Sequence, residues 1–268
     1  MKCTRFRVKK KTKFVTVWKW AVVHAASPAP PNTDTGGGSG GSAGGSSITW
    51  SWTGSTWQHS NGTLPECPAT PFTLPTDGSL TGVTTILYPG QTRGGNYKPH
   101  GGFGYATSTA PDSVSVVAPF AGSIVRGVRY YDTSSVVYDG QVQFMIDIIN
   151  PCGLMIRFDH LRALTPTLAG VVSQLPSPTS SSATTQITPV AVTQGQQVGT
   201  GVGFTDTANN VFFDFGYYDL RSVNGTSHSG ELAGYARCWF DDFGSSNDLA
   251  IRALPSRDGV AGTTSDLC

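Results

Sequence analysis

Three short stretches hold the residues whose types and spacing could do chemistry. "KPHGGFGYA", residues 98–106, carries His100 with Gly101 and Gly102 behind it and Gly104 four places on. "RFDHL" carries Asp159 and His160, and "NNVFFDFG" carries Asn210, Phe212 and Asp214. Imidazole nitrogen is a zinc ligand and the one side chain whose ordinary pKa lies near neutrality. Two histidines facing each other across a groove can hold a metal or make pH-sensitive contacts. Equally, His160 can hydrogen-bond a neighbouring strand while His100 lies in a loop. The glycines around His100 permit close backbone approach. No helix follows them, so they do not form a phosphate cradle.

The elements that must position these residues read as strands. Hydrophobic residues make up 38% of the 268 and charged ones only 13%, with 33 glycines, which suits a turn-rich, all-β fold. "SVSVVAPFAGSIVRGVRYY" alternates apolar and polar residues around a Pro-x-x-Gly turn. "GQVQFMIDIINPCGLMIRFDHL" reads as two strands joined by the tight turn "NPCG". "VAVTQGQQVGTGVGF" and "NNVFFDFGYYDLR" supply more strands, and only short turns are expected near Leu161–Leu164 and after His228. Residues 165–189 read as an exposed Ser/Thr/Pro loop. "ITWSWTGSTW" places Ile48, Trp50 and Trp52 on one strand face, with Trp57 after a turn; large core residues are the favoured reading over sugar stacking. Alternation along "RFD" puts Arg157 and Asp159 on one face, as a surface ion pair.

The order of these pieces resembles the M23 (LytM-type) peptidoglycan endopeptidases over roughly residues 93–221: a histidine with Gly-apolar, "VVAPFAGSIV", a hairpin ending "RFDHL", "VTQGQQVGTGVG" and "NNVFFDFG". The resemblance implies the duplicated hybrid motif, a β-barrel or sandwich core. It also implies zinc held by the histidine and aspartate of His-x3-Asp and by the second histidine of His-x-His. The first histidine of that pair and the hairpin histidine would be catalytic. Carried onto this chain, the first ligand is His100 and the aspartate falls on Gly104. The hairpin histidine falls on His160, the catalytic histidine on Asn210 and the last ligand on Phe212. One ligand position of three is retained. Catalytic zinc needs three protein donors and an open position for water, so no metal and no hydroxide nucleophile are expected.

Charge and cysteines bear on location. Eight of the 18 basic residues lie within the first 19 positions, and residues 20–268 carry 10 basic and 17 acidic groups. An acidic body argues against nucleic acid as partner. The basic start followed by "FVTVWKWAVVHAA", with Ala25 and Ala26 behind it, resembles an export signal, though Lys19 interrupts the apolar run. Residues 1–26 are therefore expected as a basic leader, the only membrane contact. Residues 27–47 are a Pro then Gly/Ser-rich linker, 48–92 a loop and strand extension, 93–225 the M23-like domain and 226–268 a small appendage. Cys67, Cys152, Cys238 and Cys268 suit two disulfides of unreadable pairing.

The expected function is an exported, catalytically inactive domain binding peptidoglycan or a cell-envelope protein. The groove would be Tyr97, His100, Gly104, His160, Asn210 and Phe212, with Tyr130, Tyr131, Tyr217 and Tyr218 as stacking surface. Two alternatives stand beside it: an active zinc endopeptidase with unusual ligands, and a structural or assembly module that keeps the fold as a scaffold.

Overall fold

The computed structural model describes residues 2–10, 13–21, 48–60, 62–131, 141–204, 210–259 and 264–268. The expected linker, and Ala25 and Ala26 before it, lie outside these. Two units are distinct, 1–45 and 46–268. In the first, β1 (Lys2–Lys10) and β2 (Lys13–Ala21) pair antiparallel as a hairpin, from Lys2 opposite Ala21 to Lys10 opposite Lys13. Among the described residues no helix is long and apolar enough to cross a membrane.

In the second unit every pairing between named strands is antiparallel. Two small hairpins are β3 (Trp50–Trp52) with β4 (Trp57–His59), and β6 (Gln91–Arg93) with β7 (Asn96–Lys98), while β5 (Val83–Leu87) lies between them in sequence. Then follow β8 (Gly101–Tyr105), β9 (Ser115–Val117), β10 (Gly122–Tyr131), β11 (Val142–Ile149), β12 (Leu154–Leu164), β13 (Thr185–Val192), β14 (Gln197–Val202) and β15 (Phe212–Asp219). The main sheet has nine strands in the order β13-β10-β11-β12-β15-β8-β5, with β14 branching from β12 to β9. Among the described residues no pairing joins β13 to β5, so the sheet is open.

The hairpin "NPCG" joins β11 and β12 as its sequence requires: Gly153 takes φ 103°, and its N–H donates to the Asn150 carbonyl. The strand runs on through Leu164, however, because Leu161 pairs with Val202 and Ala163 with Thr200. The helical turn expected near Leu161–Leu164 falls instead in Pro166–Leu168 and α1 (Ala169–Val172). That turn buries Leu168 and Val171, so the first part of 165–189 is core rather than exposed loop.

Both faces of the sheet are covered. On one, Phe103, Ile156, Phe158, Phe213 and Phe215 meet Trp239, Phe240 and Phe243. Trp239 lies 5.1 Å from Phe103 and 5.0 Å from Phe215, ring centre to ring centre. On the other, Met155 and Tyr218 pack with Trp50, Trp57 and Tyr235. Trp50 and Trp57 are thus core residues, as their size predicts. Three of the four tyrosines are buried rather than stacking surface: segments before β5 and after β15 close over Tyr217 and Tyr218, while Tyr130 packs with Val128 and Met145 and bonds Asp159; Tyr131 is half-buried. Residues 48–92 contribute Phe72, Leu74 and Ile86, and 226–268 contribute Trp239, Phe240, Phe243 and Ile251, to one core. The cysteines pair Cys67–Cys152, which ties the N-terminal flank to the β11–β12 turn, and Cys238–Cys268, which closes a loop within the C-terminal segment.

Candidate functional site

Three adjacent strands build the site. In β15 the odd positions Phe213, Phe215 and Tyr217 face the aromatic core, so Phe212 and Asp214 face the other way. Across the β8–β15 pairing, Phe212 stands opposite Gly104 and Asp214 opposite Gly102. Across β12–β15, Asp159 stands opposite Asp214. The glycines of "HGGFG" allow this crowding. A Cβ on Gly102 would come 3.2 Å from Asp214 Oδ1, and one on Gly101 would come 3.0 Å from the Trp239 ring.

His160 reaches the same face by a local device. Between Phe144 and Ile146 of β11, the β12 partner shifts from Leu161 to Phe158, so β12 carries one extra residue. His160 takes φ 62° in this bulge, which turns its side chain towards that of Asp159. Its Nδ1 lies 2.6 Å from Gln143 Oε1, and its Nε2 lies 3.7 Å from Asp214 Oδ2. His100 reaches Asp214 from the opposite side, with Nε2 3.1 Å from the same oxygen. Arg93 fixes the His100 backbone, its Nη2 donating to the His100 carbonyl at 3.0 Å. The two histidines thus share Asp214. Among the described residues, Asp159, His160 and Asp214 offer ligand atoms all within 4.8 Å of one another.

The carboxylates differ in character. Burial favours a proton on Asp214, yet His100 first, then His160 and Arg93, hold it well below the usual carboxylate range. Burial pushes Asp159 up, and the Asp214 charge adds to this, although His160 and the Tyr130 hydroxyl oppose it. Tyr130 donates to Asp159 Oδ1 at 2.6 Å, and the His160 N–H donates to the same oxygen at 2.7 Å. Arg157 does not pair with Asp159, as the alternation suggested. It turns to the fully buried Asp147, bonding both oxygens at 2.7 and 2.8 Å, and Arg126 bonds Asp147 Oδ2 at 2.9 Å while also pairing with Glu231.

The three positions where zinc chemistry would require other residues converge on one side chain, Arg257. Its Nη2 donates to Asn210 Oδ1, its Nη1 lies 3.4 Å from Thr85 Oγ1, and its guanidinium carbon lies 5.0 Å from the centre of the Phe212 ring. A Cβ on Gly104 would stand 2.6 Å from Nη1. A cation fills the space framed by Gly104, Asn210 and Phe212. Zinc does not fit there: glycine offers no donor, phenylalanine offers hydrocarbon, and a fixed positive charge repels the ion.

Of the expected groove residues, His100, Gly104, His160, Asn210 and Phe212 come together. His160 lies 4.8 Å from the Phe212 ring, centre to centre. Tyr97 stands elsewhere, stacked on His228 at 3.5 Å, whose Nε2 lies 3.2 Å from Asp266. Sequence reasoning missed Arg257, which no spacing connects to the other stretches. It gave Asp214 no role in the groove, although the alternation "FFDFG" already sets that side chain on the face of Phe212. Comparison with family models, curated proteins and solved structures gives no match.

Proposed function

We propose that this chain is an exported, non-hydrolytic relative of the M23 endopeptidases, with a duplicated-hybrid-motif core, that binds a peptidoglycan-like polymer in the groove around His100, His160 and Phe212. The observation that carries the reading is the placement of Arg257. Where hydrolysis needs a metal-bound hydroxide, the groove has a half-buried guanidinium braced by Asn210 and Thr85 over an aromatic ring. A guanidinium so held over Phe212, whose ring also meets that of Phe204 at 5.5 Å, suits the carboxylates and amides of a peptide-bearing polymer. Two disulfides suit an oxidising, extracytoplasmic location.

The test is sedimentation with insoluble peptidoglycan. The protein should pellet without clearing the suspension, and Phe212→Ala should weaken pelleting severalfold. Clearance abolished by a chelator would replace this reading with an active enzyme. Absence of pelleting, with capture of a protein partner unaffected by Phe212→Ala, would replace it with a scaffold.

A further inference from the structure

Asp159 and Asp214 face each other across paired strands; His100 and His160 stand beside Asp214, and the nearby arginines make their direct bonds to other partners. Arg126 and Arg157 are balanced by Asp147 and Glu231, Arg93 faces Asp258 at 3.8 Å, and Arg257 bonds to Asn210 and Thr85. Two largely enclosed carboxylates so close share a proton or take up a cation.

We propose that Asp159, His160 and Asp214 form a divalent-cation site of the kind that takes Zn2+, set beside the space filled by Arg257 and not within it. The tautomer of His160 prepares it as a ligand. Gln143 Nε2 donates to the Gly203 carbonyl at 3.1 Å, which fixes the amide with Oε1 towards His160 Nδ1. Nδ1 therefore donates to Gln143, and Nε2 is left facing the Asp214 carboxylate at 3.7 Å, the position from which it would bind a cation shared with that carboxylate. In tetrahedral coordination with bonds of about 2.0–2.1 Å, neighbouring ligand atoms stand about 3.3 Å apart, so a small closing movement completes the site. Gln143 is then the outer partner that orients a metal-bound histidine.

An independent observation points to the same place. Tyr218 is fully buried, and among the described residues its hydroxyl has no hydrogen-bond partner. It reaches over Gly216, where a Cβ would overlap it, at the edge of a cavity of about 70 Å³ that Asp159 and Asp214 also line. A buried phenol without a partner is costly. Water bound to a cation between the aspartates would satisfy it, and that volume holds an ion with its water. The site differs from the ligand set that the M23 resemblance implies, since two of those three positions have no donor. It also stands independently of the peptidoglycan reading.

The full chain is loaded with Zn2+, dialysed, and assayed for metal content and melting temperature. About one equivalent should remain, with a higher melting temperature that a chelator reverses. Asp214→Asn, Asp159→Asn and His160→Gln should each lower zinc affinity at least tenfold. Failure to retain zinc, or retention unchanged in Asp214→Asn, overturns the proposal. Should the variants not fold, wild-type crystals soaked in Zn2+ decide: an anomalous peak among the three side chains supports the site, and a peak only elsewhere overturns it. Chelator-sensitive clearance of peptidoglycan would defeat the binding reading and leave this site standing. Pelleting without zinc uptake would do the reverse.

Discussion

Arg257 and Gly104 fill one space between them. The guanidinium lies where any side chain at position 104 would begin, so the arginine is accommodated only because β8 carries a glycine there. An aspartate at position 104, as the M23 resemblance would have it, and Arg257 where it stands are mutually exclusive.

Placing an acid at position 104 should therefore harm the protein. Gly104→Asp forces apart Thr85 and Arg257 and should cost about 1–3 kcal/mol of stability, read by urea denaturation. Adding Arg257→Ala should recover part of that loss, with a coupling of about 1 kcal/mol or more. Strictly additive losses would show that the two positions do not compete.

Asp147 is the centre of the charged network on the sheet. It is wholly buried and bonds Arg126 and Arg157, themselves largely covered. Asp147→Asn removes the carboxylate that Arg157 pairs with and one of the two that Arg126 pairs with, and should cost about 3–5 kcal/mol. Guanidinium denaturation measures it, and a loss below about 1 kcal/mol would mean that solvent or Glu231 takes over the role.

The disulfides should differ in worth. Cys67–Cys152 spans 85 residues and Cys238–Cys268 spans 30. Loop entropy alone assigns them about 4.6 and about 3.6 kcal/mol. Paired Cys→Ala variants, compared by chemical denaturation, should rank in that order. The reverse order would show that anchoring the Trp239 segment matters more than loop length.

Asp242 gives the pH dependence a sign. Burial, with Asp241 beside it, pushes its carboxyl up to about 6 in the folded chain, against about 3.9 unfolded. Between those values the folded state holds the proton more tightly, so this group's contribution to stability is lost as pH rises through 6. Asp242→Asn should melt higher than wild type at pH 7 and equally at pH 3.5. An equal difference at both pH values would assign the effect to packing.

Much of the architecture follows from periodicity. The turn between β11 and β12 and the buried Trp50 and Trp57 are legible because each rests on local pattern, whereas the grouping of positions 100, 104, 160, 210 and 212 was implied only by the M23 resemblance. The exposure of the tyrosines was not legible. Tyr218 stands on the face opposite the aromatic core, and alternation alone would leave that face to solvent. It is covered by Trp57 and Tyr235, which arrive from distant segments. Arg157 chose Asp147 over Asp159 for a similar reason, since a neighbouring strand offers a directly opposed carboxylate. Arg257 belongs to no motif, and only packing brings it 47 residues back to Asn210.

The bulge at His160 also governs what the strand tolerates in inheritance. Upstream of it the core takes Leu154, Ile156 and Phe158, and just past it Leu161, so the inward parity changes from even to odd across that residue, before Leu164 reaches the core at the strand's end. The extra residue is a phase shifter. Losing one codon there would leave the hairpin intact yet swing Leu161 outward. Substitutions at 160 would alter chemistry, whereas a deletion would alter the fold.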